Sequence, residues 1–385
     1  MEDLKNKVKE IEKDIISWYR YFHQYPEIGF QEFRTSEKIQ SLLKKFKIPY
    51  QVKAKTGVVG YLKGKGKKTI GIRSDIDALP VEEKTSLPYK SKNKGYMHAC
   101  GHDGHIAILL GIAKVLSEME DDLGINFKFI FQPSEEAPPS GAKQMIEEGV
   151  IDDVNLIIGY HLFSFLPFKK LWIGKGPVMA NADSFKIKIN GKGGHGSRPH
   201  LTNDPITCAG YLITSLQTIV SRKIDPVVPC VVSFGKISGG FVFNVIPDEV
   251  EIIGTVRTLS EDIRDKIKDE IEKITEKICS LFGCKYEVEY NKHSPVNVND
   301  ESLSEKIIKI TQKYYPESLC EFHPIMGGED FAFYSQKIPS CYMFIGMGEK
   351  CGQNHNSSFK IDERILPFAV EYLTTILINL NNPCC

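Results

Sequence analysis

MHACGHDGHIAILLGIAKVL, Met97–Leu116, joins a turn rich in thiol and imidazole groups to a strongly apolar helical pattern. The spacing of Ile106, Leu109, Leu110, Ala113 and Leu116 predicts a helix over about 103–119. Strand patterns flank it, Val58–Leu62 and Thr69–Ile76 before and Ile125–Phe131 after. A helix at Gly141–Glu148 and a strand at Leu156–Tyr160 continue the alternation. This order predicts an α/β fold, a sheet with helices on both faces. Upstream, Leu4, Val8, Ile11, Ile15, Trp18 and Phe22 recur at helical spacing over 2–24, ending before Pro26. The basic turn Gly64–Lys68 reads as a solvated hairpin tip between the first two strands.

The pattern changes from about 183. SFKIKINGKGG reads as a strand, followed by a helix at 204–222, strands around 230–237 and 248–258, a charged helix at 260–282 and a strand at CKYEVEY. That is βαββαβ, the ferredoxin-like split order. After 295, helix 300–314, strand Cys341–Ile345 and helix 362–379 resume the α/β character. The chain therefore reads as a domain formed by 1–181 and 293–385, with an α+β domain inserted at 182–292.

At 385 residues, two domains are the expected number. The 49 basic and 49 acidic residues cancel, which argues against nucleic acid or an anionic membrane as partner. No run approaches the roughly 20 apolar residues of a bilayer span, and the charged MEDLKNKVKEIEKD shows no signal-peptide pattern, so a cytoplasmic location is expected. The ten cysteines are scattered, as in a reducing compartment, and Cys208, Cys230, Cys279 and Cys341 read as buried core thiols. Cys384–Cys385 fits no prenylation pattern and reads as a frayed tail.

Chemistry-bearing residues collect where strand patterns end, the position of ligand sites on open α/β sheets. They are Asp75 and Asp77, Cys100 and His102, Glu135 and Glu136, His161, and His355. Two divalent ions need about six or seven protein ligand atoms. Cys100, His102, Glu136, His161 and His355 supply five mixed side chains, and Glu135 remains to take a proton from activated water. Asp77 would fix the tautomer of a ligating histidine through its other ring nitrogen, with Asp75 as the competing choice or as a partner of Arg73. Glu329–Asp330 reads as a structural ion pair, with the fixing of metal-site loops as the competing reading, and His23, His98 and His105 read as scaffold.

These residues sit in motifs that resemble the dinuclear-metal amidohydrolase/peptidase family of aminoacylases, hippurate hydrolases, auxin-conjugate hydrolases and N-acetyldiaminopimelate deacetylases. The motifs are RYFHQYPEIGFQEFRT (20–35), SDIDALP (74–80), MHACGHDGH (97–105), FQPSEE (131–136), GYH (159–161), GKGGHGSRPH (191–200), GGEDFAFY (327–334) and HNSSFKIDE (355–363). The resemblance implies a zinc-peptidase-like α/β/α catalytic domain with a lid and dimerisation domain inserted, hence a homodimer or higher homo-oligomer. It implies two divalent ions (Zn, Mn, Co or Ni) on Cys100, His102, Glu136, His161 and His355, with Glu135 as general base. His195 resembles the histidine that stabilises the tetrahedral intermediate, and Asn244 and Arg257 resemble residues that meet a substrate carboxylate, with a structural salt bridge as the competing reading for Arg257. Asn354 departs from the family pattern, where many relatives carry Leu.

The implied activity is hydrolysis of the amide bond of N-acyl-L-amino acids or related small amides and dipeptides. Two rivals are a thiol hydrolase with Cys100 as nucleophile and His102 or His105 as base, and a non-catalytic metal-binding protein.

Overall fold

The computed structural model describes residues 2–119 and 123–380. Cys384 and Cys385, read above as a frayed tail, lie outside the described residues. The chain forms two compact units. The first runs up to Gly176 and takes in Val298–His323 and the segment from Asp330 onward, while the second comprises Pro177–Asn297 and Pro324–Glu329. The crossings thus fall a few residues outside the expected 182–292 insert. Pro324–Glu329 joins the second unit because the Ala180 amide donates to Ile325 O and Gly327 O.

In chain order the first unit contributes α1 (Glu2–Glu10), α2 (Glu12–Gln24), α3 (Phe33–Lys45), β1 (Tyr50–Lys53), β2 (Gly57–Leu62), β3 (Thr69–Asp75), α4 (His102–Ser117), β4 (Asn126–Gln132), α5 (Gly141–Glu147), β5 (Leu156–Phe163) and β6 (Leu171–Ile173). After β7 (Gly176–Met179) come β8 (Asp183–Asn190), β9 (Gly194–His195), α6 (Pro205–Thr218), β10 (Cys230–Ser238), β11 (Val245–Ile246), β12 (Glu249–Thr258), α7 (Glu261–Leu281) and β13 (Lys285–Lys292). β14 (Asn297–Asn299), α8 (Glu301–Tyr314), α9 (Ala332–Ser335), β15 (Ser340–Gly346) and α10 (Ile365–Asn379) complete the chain.

The large sheet has the order β1-β2-β4-β3-β5-β15-β6. Its four central strands, β4, β3, β5 and β15, are mutually parallel, so their carboxyl ends share one edge. From β3 the chain passes through α4 to β4 on one side, then through α5 to β5 on the other. That reversal makes the β3/β5 boundary a switch point, where open sheets leave a crevice. One face of the sheet, with Ile70, Ile72, Phe127, Phe129, Ile158 and Tyr160, shares a core with Ile15 of α2, Leu109 and Ile112 of α4 and Leu373 of α10. A side chain at Gly111 would come within 2.7 Å of Val370, so glycine sets the close approach of α4 and α10.

Two local readings change. The strands at 58–62 and 69–76 do not form a hairpin, because the wholly buried β4 inserts between them. The basic turn keeps its lysine side chains exposed, as expected, while its backbone docks on the neighbouring segment. Lys65 N donates to Leu123 O, and a Cβ at Gly66 would fall 2.0 Å from Gly124 O. The helix read over 2–24 divides at Ile11, whose ψ of 3° leaves helical geometry.

The second unit has the antiparallel sheet β10-β12-β8-β13, the ferredoxin-like arrangement. β8 alternates cleanly: Phe185, Ile187 and Ile189 point into a core with Leu212, Leu216, Ile267 and Ile271 of its two helices. Lys186 and Lys188 point outward and pair across the sheet with Glu289 and Glu249 at 2.8 and 2.9 Å. Cys230, expected in the core, is only part-buried because β10 is an edge strand.

A buried ion-pair network supports the start of α4. The His23 ring nitrogens donate to Asp103 Oδ2 at 2.6 Å and Glu83 Oε1 at 3.2 Å. Burial opposes the imidazolium charge, but these two carboxylates outweigh it and lift His23 to about 9. A folded-state value above the unfolded one of about 6.5 gives stability that is complete below pH 6.5 and lost as pH rises through 9. His23→Leu should therefore cost about 3–5 kcal/mol at pH 6, the scale for breaking a buried charge pair. In urea titrations its deficit against wild type should shrink between pH 6.5 and 9, and a deficit independent of pH would contradict the assignment.

Candidate metal centre

The centre is assembled from loops that leave the shared edge of the parallel strands. The β3–α4 connection ends at Cys100, and Gly101, at φ 94°, turns the chain so that His102 starts α4. His161 lies inside β5, two residues before its end. The loop after β15 is tied back to the cysteine turn. His355 N donates to Ala99 O at 2.7 Å, and Asn354 Nδ2 donates to Cys100 O at 3.1 Å. Asn354 thus has a definite task here.

These ties bring five side chains together. Cys100 Sγ lies 3.3 Å from both His161 Nε2 and His355 Nε2. His355 Nε2 is 3.4 Å from Glu136 Oε1, and His102 Nε2 is 3.8 Å from the same oxygen. His102 Nδ1 donates to Asp77 O at 2.9 Å and His161 Nδ1 to Leu162 O at 2.9 Å. Both rings therefore direct Nε2 inward, the nitrogen that a cation would take once it is free of its proton. Ligand atoms of Cys100, His102 and His161 lie within 4.8 Å of one another, as do those of Cys100, Glu136 and His355 and those of His102, Glu135 and Glu136.

A cation fits this set on physical grounds. His102 Nε2 and Glu136 Oε1 are buried, face each other, and have no hydrogen-bond partner. Leaving such atoms unmatched costs about 1–3 kcal/mol each, more for charged groups. Burial, followed by Glu136 and Glu135, pushes the Cys100 thiol well above its ordinary value. Burial and His105 push His161 down, keeping it neutral. Burial also opposes charge on His102, yet Asp75, Asp77 and Glu136 raise it to about 10. Protons stand here where divalent cations would, and binding a cation would release them. Thiolate, imidazole and carboxylate together suit borderline ions such as Zn²⁺.

The surrounding carboxylates have separate tasks. Asp75 pairs with the buried Arg73 at 2.8 Å and accepts from His105 Nδ1 at 2.7 Å. His105 Nε2 accepts from Leu162 N at 3.0 Å, so both its nitrogens are engaged and it stays outside the ligand set. Asp77 holds His102 chiefly through its backbone carbonyl. Its carboxylate Oδ1 also lies 3.3 Å from His102 Nδ1, while Oδ2 accepts from Glu136 N at 3.0 Å. His98 is buried and lowered to about 4 by that burial, and it belongs to none of the ligand groups.

Asp330 does more than the structural ion pair expected of it. It accepts from Arg73 at 2.8 Å, and also from Gln132 Nε2 (2.8 Å), Ser140 Oγ (2.6 Å) and Ala142 N (3.2 Å). It therefore fixes both ends of the loop that carries Glu135 and Glu136. The sequence signals were Gln132 within FQPSEE and Asp330 within GGEDFAFY, read there without their mutual contact.

In the second unit, His195 lies in the ribbon formed by β9 and β11, and Asn244 immediately precedes β11. Gly196 N donates to Asn244 O at 2.8 Å. His195 is exposed, and its Nδ1 accepts from Ser197 N at 3.1 Å, which places the ring proton on Nε2 as an outward donor. The half-buried Arg257 guanidinium has no ion-pair partner among the described residues, and burial lowers its pKa. The structural salt bridge that competed for Arg257 is not formed within the described residues.

A model described as peptidase family M20/M25/M40 matches residues 71–379. The chain is 41% identical over 391 residues to thermostable carboxypeptidase 1 of Saccharolobus solfataricus, covering 99% of each. It is 43% identical over 303 residues to an N-acyl-L-amino acid amidohydrolase of Geobacillus stearothermophilus, covering 78% of this chain and 82% of that one. Among solved structures it resembles the Bacillus subtilis YxeP protein, described as a dinuclear metal binding peptidase, with TM-score 0.85, 34% identity and coverage of 97% and 99%.

A ligand role for Cys100 can be tested without any assay of turnover. Protein loaded with Co²⁺ should show a near-ultraviolet thiolate-to-cobalt absorption that Cys100→Ser abolishes while the fold persists. An unchanged band in that variant would remove Cys100 from the centre.

Proposed function

The chain belongs to peptidase family M20/M25/M40, and from that membership we propose that it hydrolyses the amide bond of N-acyl-L-amino acids or short peptides with Glu135 as general base. The observation that supports this most is the unmatched pair His102 Nε2 and Glu136 Oε1, with Cys100, His161 and His355 around them and Glu135 alongside. Cys100, His102, Glu136, His161 and His355 would hold two divalent ions. When bound, such ions supply Lewis acidity toward the scissile carbonyl and acidify water.

The remaining steps belong to the protein. Glu135 accepts a proton from the attacking water at its carboxylate and returns it to the departing amine nitrogen. Arg257, half-buried and without a protein counter-ion among the described residues, would take the substrate carboxylate, with Asn244 as a further polar contact. The outward Nε2–H of His195 would donate to the developing oxyanion, a contact worth about 100- to 1,000-fold in kcat elsewhere.

A homodimer is part of the same proposal. It is supported by an exposed apolar run in the second unit, where Phe241 and Phe243 are fully exposed and Val242, Val245 and Leu201 more than half exposed. A cytoplasmic setting is supported by the eight described cysteines, all of them free thiols. No helix among the described residues is long and apolar enough to cross a membrane.

The thiol-hydrolase rival fares poorly on electrostatics. Burial and two carboxylates keep the Cys100 sulfur protonated without a cation, which makes it a weak nucleophile.

Two outcomes test the reading. Glu135→Gln should lower kcat on an N-acyl amino acid by about 100- to 10,000-fold, the scale of general-base loss, with metal content unchanged. Near-normal turnover in that metal-replete variant would remove Glu135 as the base. Dialysis against a chelator should abolish activity and Zn²⁺, Mn²⁺ or Co²⁺ should restore it, whereas a metal-free enzyme that still turns over would favour the thiol route.

A further inference from the structure

Outside the metal centre, Glu32 is among the buried carboxylates that the mechanism does not use. Glu32 precedes α3 and is fully buried, yet its side chain does not cap that helix. Its oxygens go elsewhere. Oε1 accepts from Ser134 N at 3.0 Å, and Oε2 accepts from Thr56 Oγ1 at 2.6 Å. Thr56 is itself buried, at 1% exposure, so the pair is closed to solvent.

Ser134 is the residue on which the base loop turns. It has φ 47°, in the left-handed region that non-glycine residues rarely adopt. Three contacts hold it there. Glu32 takes its amide. Its hydroxyl donates to Ala137 O and Pro139 O, each at 3.1 Å. Gly29 packs against it so closely that a Cβ there would lie 2.5 Å from Ser134 Oγ. On the other side of Glu135, the amide of Glu136 donates to Asp77 at 3.0 Å. The two amides flanking Glu135 are thus each held by a separate buried carboxylate.

We propose that Glu32 is a positioning residue for Glu135, holding the strained Ser134 peptide so that the base carboxylate faces the metal centre. This rests on the reading of Glu135 as the base. Glu32 touches neither ligands nor substrate and acts only through the backbone it fixes. Hydrogen-bonding reach matters here more than charge. Burial, reinforced by the Asp77 carboxylate, pushes the Glu32 carboxyl up to about 7, so a neutral amide of the same length is a fair replacement.

The test compares three variants of the metal-loaded enzyme on one N-acyl amino acid. Glu32→Asp keeps the charge but withdraws the oxygen from Ser134 N. Its kcat should fall about 10- to 100-fold, the scale of a misplacement on the order of 1 Å, with KM within about threefold of wild type. Bound metal and the visible spectrum of the Co²⁺ form should stay unchanged. Glu32→Gln keeps the reach and should recover kcat to within about fivefold of wild type. The proposal is overturned if Glu32→Asp keeps wild-type kcat, if its loss follows metal content or KM alone, or if Glu32→Gln is as slow as Glu32→Asp. Glu135→Gln is assayed alongside. If it is inactive while Glu32→Asp is fully active, only the positioning role fails; if it is active, the base assignment fails.

Discussion

Buried carboxylates at the ends of parallel strands must be balanced by cations, and this constraint organises the first unit. Asp75, Asp77 and Asp330 are all nearly inaccessible. Arg73, itself buried, bridges Asp75 and Asp330. Among the described residues no arginine reaches Glu136 Oε1 or His102 Nε2, which face one another 3.8 Å apart, and the imidazole of His355 comes closer to that oxygen, at 3.4 Å. An uncompensated buried charge would destabilise the fold by several kcal/mol. The arrangement is therefore intelligible as a cation site, and the neighbouring thiol and imidazoles say what kind of cation.

The same economy of buried charge shapes the loop after β4. Glu32, Asp77 and Asp330 each accept from its backbone or its polar side chains, so a segment carrying two acidic residues is held by three more. Backbone amides and hydroxyls take the place of counter-ions, a pattern that favours charged carboxylates while fixing geometry. Gly141 allows the closure, since a Cβ there would overlap Pro133 O at 1.7 Å. Rigidity around Glu135 is thus built from polar groups, in contrast to the aliphatic packing between α4 and α10.

Much of this was legible in the sequence because periodicity and strand ends are local signals. The alternation through β3, α4, β4, α5 and β5 located the shared edge, and the split βαββαβ order gave the smaller sheet. The five metal-competent side chains were visible as residue types at those ends. What was not legible depends on long-range pairing. The insertion of β4 beside β2 turned an expected hairpin into two non-adjacent strands. The second role of Asp330 rests on a contact with Ser140 nearly two hundred positions away. Glu32 gave no local sign beyond its place in a matching motif, since its partners Thr56 and Ser134 come from separate loops.

The central claim is that Cys100, His102, Glu136, His161 and His355 together hold two divalent ions. Anomalous diffraction at the zinc edge, from crystals grown with Zn²⁺, tests it most directly. The account predicts two peaks per chain, both enclosed by these five side chains, with the Cys100 sulfur bonded to metal. A single peak, or strong peaks that leave Cys100 and Glu136 without a metal contact, would contradict it.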